Sequence, residues 1–257
     1  MGATVDPVDW TSDADFAAYD LVLPLLAWGY HQEVERWNAV LDRFARDAVR
    51  VANPLPVLRW NSEKSYLAEL HSKGVSTVPS LAFERLDEAS VEQARETFGS
   101  VDLVVKPLVS ASAYGTFRIR PGDSVPEQVR GWRMLVQPWL KDIVNSGEYS
   151  LIFFDGEFSH SVSKVPRPGE FRVQPEYGGI IGPCEPPPGS VQLAKAALSA
   201  APAATTYARV DIVVGNDGQL QVIELELIEP ALFMGDIPEA GPRFARAVLS
   251  AAEAGRE

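Results

Sequence analysis

Residues Tyr207 to Pro230 read as one antiparallel hairpin with two unlike faces. Asp217-Gly218 is a strong two-residue turn signal. With that turn, Asn216 pairs with Gln219, and Asp211 falls opposite Glu224. Strand alternation puts Glu226 on the Glu224 face. The other face is wholly apolar: Val210, Ile212, Val214, Ile223, Leu225 and Leu227. One face is therefore core, and the other carries three carboxylates. Like charges opposed on paired strands are destabilising, and a divalent cation removes the conflict. Mg²⁺ suits such a site, because it takes hard oxygens from one or two carboxylates plus substrate phosphates. The plain alternative is a solvated acidic face, which would more usually mix Lys and Thr among the acids.

Phosphates need cations. Lys106 ends an apolar run, Leu103 to Lys106, and is followed by the small and hydroxyl residues of Ser110 to Thr116. Small residues let backbone N–H groups approach phosphate closely, although this is neither a Walker A loop nor a dinucleotide fingerprint. Lys64 is a second candidate, set against the reading of an exposed helix lysine.

The rest of the pattern mixes helices and strands. Helical spacing covers about 31 to 47, a second helix capped by Asn61 stops at Gly74, and further helices cover 190 to 200 and 239 to 253. Strands are expected at 21–25, 75–83, 103–106 and 134–137, with a hairpin at 149–162 turning on Asp155-Gly156. Residues 166 to 188 hold seven Pro and four Gly and read as one long loop. Antiparallel hairpins in the second half make the fold α+β rather than a plain doubly wound sheet. Trp10, Trp28, Trp37 and Trp60 read as packing residues, while Lys164, Arg167 and His160, near the 166–188 loop, read as surface with substrate contact as the alternative. Glu229 either touches a ligand or simply ends its strand.

Composition excludes several classes. Twenty-three Lys and Arg stand against 35 Asp and Glu, a formal charge of -12 that argues against nucleic-acid and anionic-membrane binding. One Cys rules out an internal disulfide or thiolate zinc cage, and three scattered His make no evident metal site or triad. No secretory signal or apolar run of ~20 residues is present, so the expectation is a cytoplasmic protein.

Taken in order, these pieces resemble a family. They are Asn61 to Lys64, Lys106-Pro107-Leu108 with its small-residue loop, Phe117 to Ile119, Val136 to Leu140 and Gly147-Glu148. Phe154 to Glu157, Gly169 to Arg172, Gly178-Gly179 and Asp211 with Glu224 and Glu226 complete the set. The pattern over roughly residues 15 to 235 resembles the ATP-grasp ligases, with bacterial glutathione synthetase nearby. Ala208 to Asp211 and Glu224 to Pro230 are more similar to the branch holding the O-ureidoserine, cycloserine-forming cyclo-ligase.

The resemblance implies two α+β subdomains sandwiching ATP behind a shortened α/β N-terminal domain. The expected divisions are 1–73, then 74–135 with Lys106 and the phosphate loop, then 136–257 with the hinge and metal hairpin. It implies that Lys64 and Lys106 contact phosphates and adenine, that Gln137, Trp139 and Leu140 form the adenine hinge through backbone groups, and that Glu148 holds ribose. Asp211, Glu224 and Glu226 would bind two Mg²⁺ ions, with Mn²⁺ as an alternative. Arg172 would face the γ-phosphate or acyl phosphate, and Arg209 would steady substrate and oxyanion. The implied activity is ADP-forming carboxylate–amine ligation through an acyl phosphate on a small amino-acid-like substrate. The competing reading is a non-catalytic nucleotide-binding protein of the same fold. Homodimers are common in the family, so a homodimer stays open.

Four departures stand out. Ser110, Ala111, Ser112 and Ala113 replace a mostly glycine loop. Glu226 replaces the usual Asn, and Ser150 stands where glutathione synthetase carries Arg. The first strand and helix of the usual N-terminal domain are not evident.

Overall fold

The computed structural model describes residues 2–235 and 237–254. Helix α1 (Val34–Arg46) forms where Trp37, Val40, Leu41 and Phe44 recur at helical spacing, and all four are buried. Helix α2 (Leu55–Asn61) starts on Pro54, and α3 (Tyr66–Ser72) stops just before Gly74 at φ +84°. Asn61 does not cap the second helix as expected; it ends α2 and turns its amide toward the sheet behind it.

Strand β1 (Leu81–Phe83) leads to α4 (Glu88–Phe98), β2 (Leu103–Pro107), β3 (Phe117–Ile119) and β4 (Met134–Pro138). These strands pair antiparallel in the order β1-β4-β2-β3. Helix α4 packs Val91 and Ala94 against Leu103, Val105 and Val136 of this sheet. It was not anticipated, although its signals are legible: Asp87 accepts from the Ser90 amide at 2.9 Å, and Gly99 closes it at φ +58°.

The short α5 (Ile143–Ser146) precedes β5 (Glu148–Phe154), β6 (Glu157–Val165) and β7 (Ile180–Pro183). Helix α6 (Ser190–Ser199), β8 (Tyr207–Val214), β9 (Leu220–Glu226) and α7 (Ala240–Glu253) follow. The second sheet has the order β7-β6-β5-β8-β9. Leu151, Phe153, Val210, Ile212 and Leu225 face Leu67 of α3 and Ala194 and Ala197 of α6 in one apolar layer.

Both hairpins carry a bulge. The β5–β6 turn has Asp155 at φ +51° and Gly156 at φ +74°, the left-handed pair of a type I′ turn. Between Ile152 and Phe153 the register slips, so Glu148 pairs with Lys164. The β8–β9 turn is longer than the expected Asp217-Gly218 pair: the Gly215 amide donates to Gln219 at 2.8 Å, and Val214 pairs with Leu220. A second bulge restores the Asp211–Glu224 pairing and leaves Ile223 as the extra residue. Ile223 therefore joins Trp139, Leu140 and Val213, while Val222 takes its place in the apolar layer.

Three expected segments differ. Pro24 opens a 3-10 turn, so residues 21–25 make only a parallel bridge, Val22 with Val51. Pro79 leaves only Leu81–Phe83 of residues 75–83 as strand, with Thr77 bridging Val222. The 166–188 loop contains β7 and a 3-10 turn at Pro175–Tyr177. The division proposed at 135/136 falls inside β4, a strand of the four-stranded sheet.

The outer edge of β9 is covered by side chains. Asn61 bonds Leu225 O at 2.9 Å and accepts from Leu227 N at 2.8 Å. The Tyr66 hydroxyl donates to Leu225 O and accepts from its amide. Ser76 and Val78 exchange backbone bonds with Val222. No described helix is long and apolar enough to cross a membrane.

Candidate active site

A cavity of about 680 Å³ opens between the two sheets, within the usual size of a ligand pocket. Lys64, Lys106, Gln137, Trp139, Leu140, Glu148, Arg172, Arg209, Asp211, Glu224 and Glu226 all line it. The antiparallel ladders supply this convergence. Strand β2 delivers Lys106, β4 delivers Gln137, and β5, β6, β8 and β9 deliver Glu148, Lys164, Asp211 and Glu224.

At one end, Trp139, Leu140, Ile143 and Phe171 form an apolar wall. The Arg118 guanidinium lies 3.6 Å above the Trp139 ring and is itself held by Asp102 at 2.5 Å. The Trp139 amide donates to Asp102 O at 2.8 Å, and its carbonyl accepts from Asn216 at 2.8 Å. Both backbone groups of Trp139 are thus engaged within the protein. The Gln137 side chain is turned to Ser80, at 2.8 Å.

The centre is a lattice of alternating charge. Lys164, buried, is ion-paired with Glu148 and lies 3.1 Å from Asp211. Asp211 also accepts from Ser150 Oγ at 2.5 Å and from Arg209 Nε at 3.0 Å. Ser150 thus supports the aspartate. Lys64 Nζ donates to Ser110 O at 2.5 Å and lies 3.0 Å from Glu224. Arg209 is ion-paired with Glu226. Among the described residues, Lys106 makes no ion pair or side-chain hydrogen bond, although it is buried and faces the cavity. Burial lowers its pKa, partly offset by Glu224.

Burial also pushes Glu148 up to about 7, with Asp211 adding and Lys164 opposing. Burial does the same to Glu226, raised to about 7 against the pull of Arg209. Burial alone would raise Asp211, yet Arg209 and Lys164 hold it well below the usual carboxylate range.

Arg172 lines the cavity with its guanidinium forked on Glu170, at 2.7 and 3.1 Å, and stacked 3.6 Å above Tyr177. Arg172 holds Glu170 down to about 2. In the glycine-poor loop, Ser112 and Ala113 take φ +50° and +54°, so the loop adopts left-handed backbone without glycine.

The donor set of Asp211, Glu224 and Glu226 fits Mg²⁺ by chemistry, being three hard-oxygen carboxylates that line one cavity. Among the described residues, no group of three acids, His or Cys meets in ligating geometry. Lys64, Lys164 and Arg209 lie within ion-pair reach of these acids.

Lys164 was read as surface. A bulge-free turn at Asp155-Gly156 puts Ser163 opposite Glu148; the slip at Ile152/Phe153 replaces it with Lys164. Trp28 was read as packing but is 68% exposed at the cavity rim. His160, also read as surface, is buried.

Residues 1–53 match the family described as D-cycloserine synthetase DcsG, N-terminal domain. The chain is 27% identical to cycloserine biosynthesis protein DcsG of Streptomyces lavendulae, over 96% of this chain and 89% of that one. The crystal structure of D-cycloserine synthetase DcsG superposes with a TM-score of 0.87 at 24% identity, covering 98% of this chain and 91% of that one. The ATP-grasp ligase PsnB, complexed with a phosphomimetic variant of minimal precursor, Mg and ADP, superposes with a TM-score of 0.61 at 21% identity, covering 84% and 68%. The chain therefore resembles ATP-grasp ligases over nearly its whole length and has their fold.

Proposed function

From the ATP-grasp fold we propose an ATP- and Mg²⁺-dependent carboxylate–amine ligase that acts on a small amino-acid-like substrate through an acyl phosphate. The observation that carries this reading is Lys106, a buried ammonium that faces the cavity and, among the described residues, makes no ion pair or side-chain hydrogen bond. Such a group is built for an anion supplied from outside, and a triphosphate is the anion this fold takes.

Lys106 and Lys64 bind the phosphates, and Lys164 holds Glu148 and Asp211 apart beside them. Trp139, Leu140 and Ile223 supply the apolar walls for adenine, Gln137 borders them, and Glu148 faces ribose. Asp211, Glu224 and Glu226 would hold Mg²⁺, two ions with Mn²⁺ as an alternative, which when bound neutralises charge on the transferring phosphoryl group. Arg209 orients the substrate carboxylate for attack on the γ-phosphorus and later faces the oxyanion formed when an amine attacks the acyl phosphate and expels phosphate. Arg172 closes the γ-phosphate side once its fork on Glu170 opens. A homodimer stays open as the assembly.

Calorimetric titration of a non-hydrolysable ATP analogue tests the reading. Metal-dependent binding is expected, weakened about tenfold or more by Lys106→Met, the worth of a hydrogen bond to a charged group, and lost with Glu224→Ala. Absence of binding to the unaltered protein would refute it. The non-catalytic alternative draws on the acids already being paired with cations; amino-acid-dependent ADP release separates the two.

A further inference from the structure

The cavity contains a second charged group without an ion pair, of opposite sign. Glu229 lines it half-buried, and among the described residues it makes no hydrogen bond or ion pair. Glu148, Asp211, Glu224 and Glu226 each have a cation in Lys64, Lys164 or Arg209. Glu229 feels Arg209 and Lys64 without pairing with either, and is open to a cation carried by a ligand.

Beside Arg209, Glu224 and Lys64, which act on Glu229, this cavity has an apolar and unfinished rim. Leu26 is 52% exposed and Trp28 68% exposed, yet both line the cavity, together with Phe233 and Met234. The two segments face each other: Ile228 packs with Ala27 and Tyr30, while Leu232, Phe233 and Met234 pack with Leu25. Phe233 sits at φ +46°, a conformation that a bulky side chain adopts only when its surroundings enforce it. That backbone holds the ring at the cavity rim.

Arg209 joins this rim to the charged centre. Its guanidinium lies 5.7 Å from the Phe233 ring, it donates to Ala231 O at 3.4 Å, and it is ion-paired with Glu226. Arg209 is near enough to Glu229 to act on its carboxyl electrostatically. A ligand whose carboxylate lies at Arg209 can therefore bring an ammonium on the adjacent carbon to Glu229.

We infer that this end of the cavity is a subsite for an amino acid with a free α-ammonium and an apolar side chain, the ammonium held by Glu229 and the side chain by Leu26, Trp28, Phe233 and Met234. This specifies the substrate class of the ligase reading and rests on it. A hydroxyl or carboxamide side chain would lose its water against this rim without gaining a partner, which disfavours polar amino acids.

The test titrates Phe, Leu, Ser and Asn of both hands, and 3-phenylpropionate, into protein saturated with the ATP analogue and Mg²⁺. Phe and Leu are expected to bind about tenfold or more tightly than Ser and Asn, and Phe about tenfold more tightly than 3-phenylpropionate, which lacks the ammonium. Glu229→Gln should erase the second difference and leave analogue affinity unchanged. Trp28→Ala, at an exposed position that folding does not depend on, should shrink the first difference only. The subsite is overturned if Ser and Asn bind as well as Phe, if 3-phenylpropionate binds as well as Phe, or if no amino acid binds while the analogue does. Loss of metal-dependent analogue binding in Glu229→Gln would place Glu229 with the metal ligands and also overturn it. Should the analogue itself not bind, the ligase reading fails. The same panel on free protein then decides the subsite: Phe binding weakened by Glu229→Gln sustains it, and silence overturns it.

Discussion

Single side chains in this protein hold charge where the backbone alone would not. Lys164 is the clearest case, buried between Glu148 and Asp211. Replacing one partner of a buried ionic group leaves the others uncompensated, so Lys164→Met should destabilise the fold by about 3–5 kcal/mol in chemical denaturation. His160 makes a pH-dependent contribution. Its ring is buried, with Nε2 2.9 Å from Leu232 O and Nδ1 3.0 Å from Ser159 Oγ, and burial lowers its pKa, with Arg243 adding to the effect. The folded state therefore keeps His160 neutral, while the unfolded chain takes up a proton below about pH 6.5. Unfolding then binds protons, so this residue's contribution to stability falls as pH drops through that value toward the lower folded pKa. The difference in melting temperature between the unaltered protein and His160→Gln should shrink from pH 7.5 to about 5.5; a flat difference would count against this reading.

At the scale of elements, the two hairpins decide what the pocket contains. Asn216, in the β8–β9 turn, accepts from the Lys141 amide at 3.0 Å and donates to Trp139 O at 2.8 Å, tying the turn to the apolar wall. Asn216→Ala should cost about 1–3 kcal/mol of stability and weaken analogue binding, read by denaturation and calorimetry side by side. The alternation of acids and apolar residues in β8 and β9 was legible because period-two patterning survives any turn. Asp211 opposite Glu224 was predicted from a two-residue turn and is found with a longer turn and a bulge, two departures that cancel. Lys164 was not legible, because one unpaired residue in β6 exchanges the faces of everything beyond it, and no residue type announces that slip. A change of length in the β8–β9 turn must accordingly be matched by loss of the bulge, and with it of Ile223 from the pocket wall.

Across the whole molecule, the N-terminal segment and the five-stranded sheet are joined through polar side chains in apolar surroundings. Buried Asn53 donates to Tyr207 O at 2.8 Å and Leu227 O at 2.7 Å, and accepts from Thr206 N at 2.7 Å, while Asn61 and Tyr66 hold β9. Asn61→Ala leaves the Leu227 amide unpaired and should cost about 2–4 kcal/mol. Calorimetry should still show one unfolding transition, since the two parts share their buried hydrogen bonds; two separated transitions would contradict this. The covered edge has a further consequence. With β9 sealed, the five-stranded sheet can accept another strand only beside β7, where Ile180 is 69% exposed. Two copies paired antiparallel through β7 would spend the open edge of each and present only sealed β9 edges outward. Sheet-to-sheet association through these strands therefore ends at a closed pair and cannot propagate into a fibre.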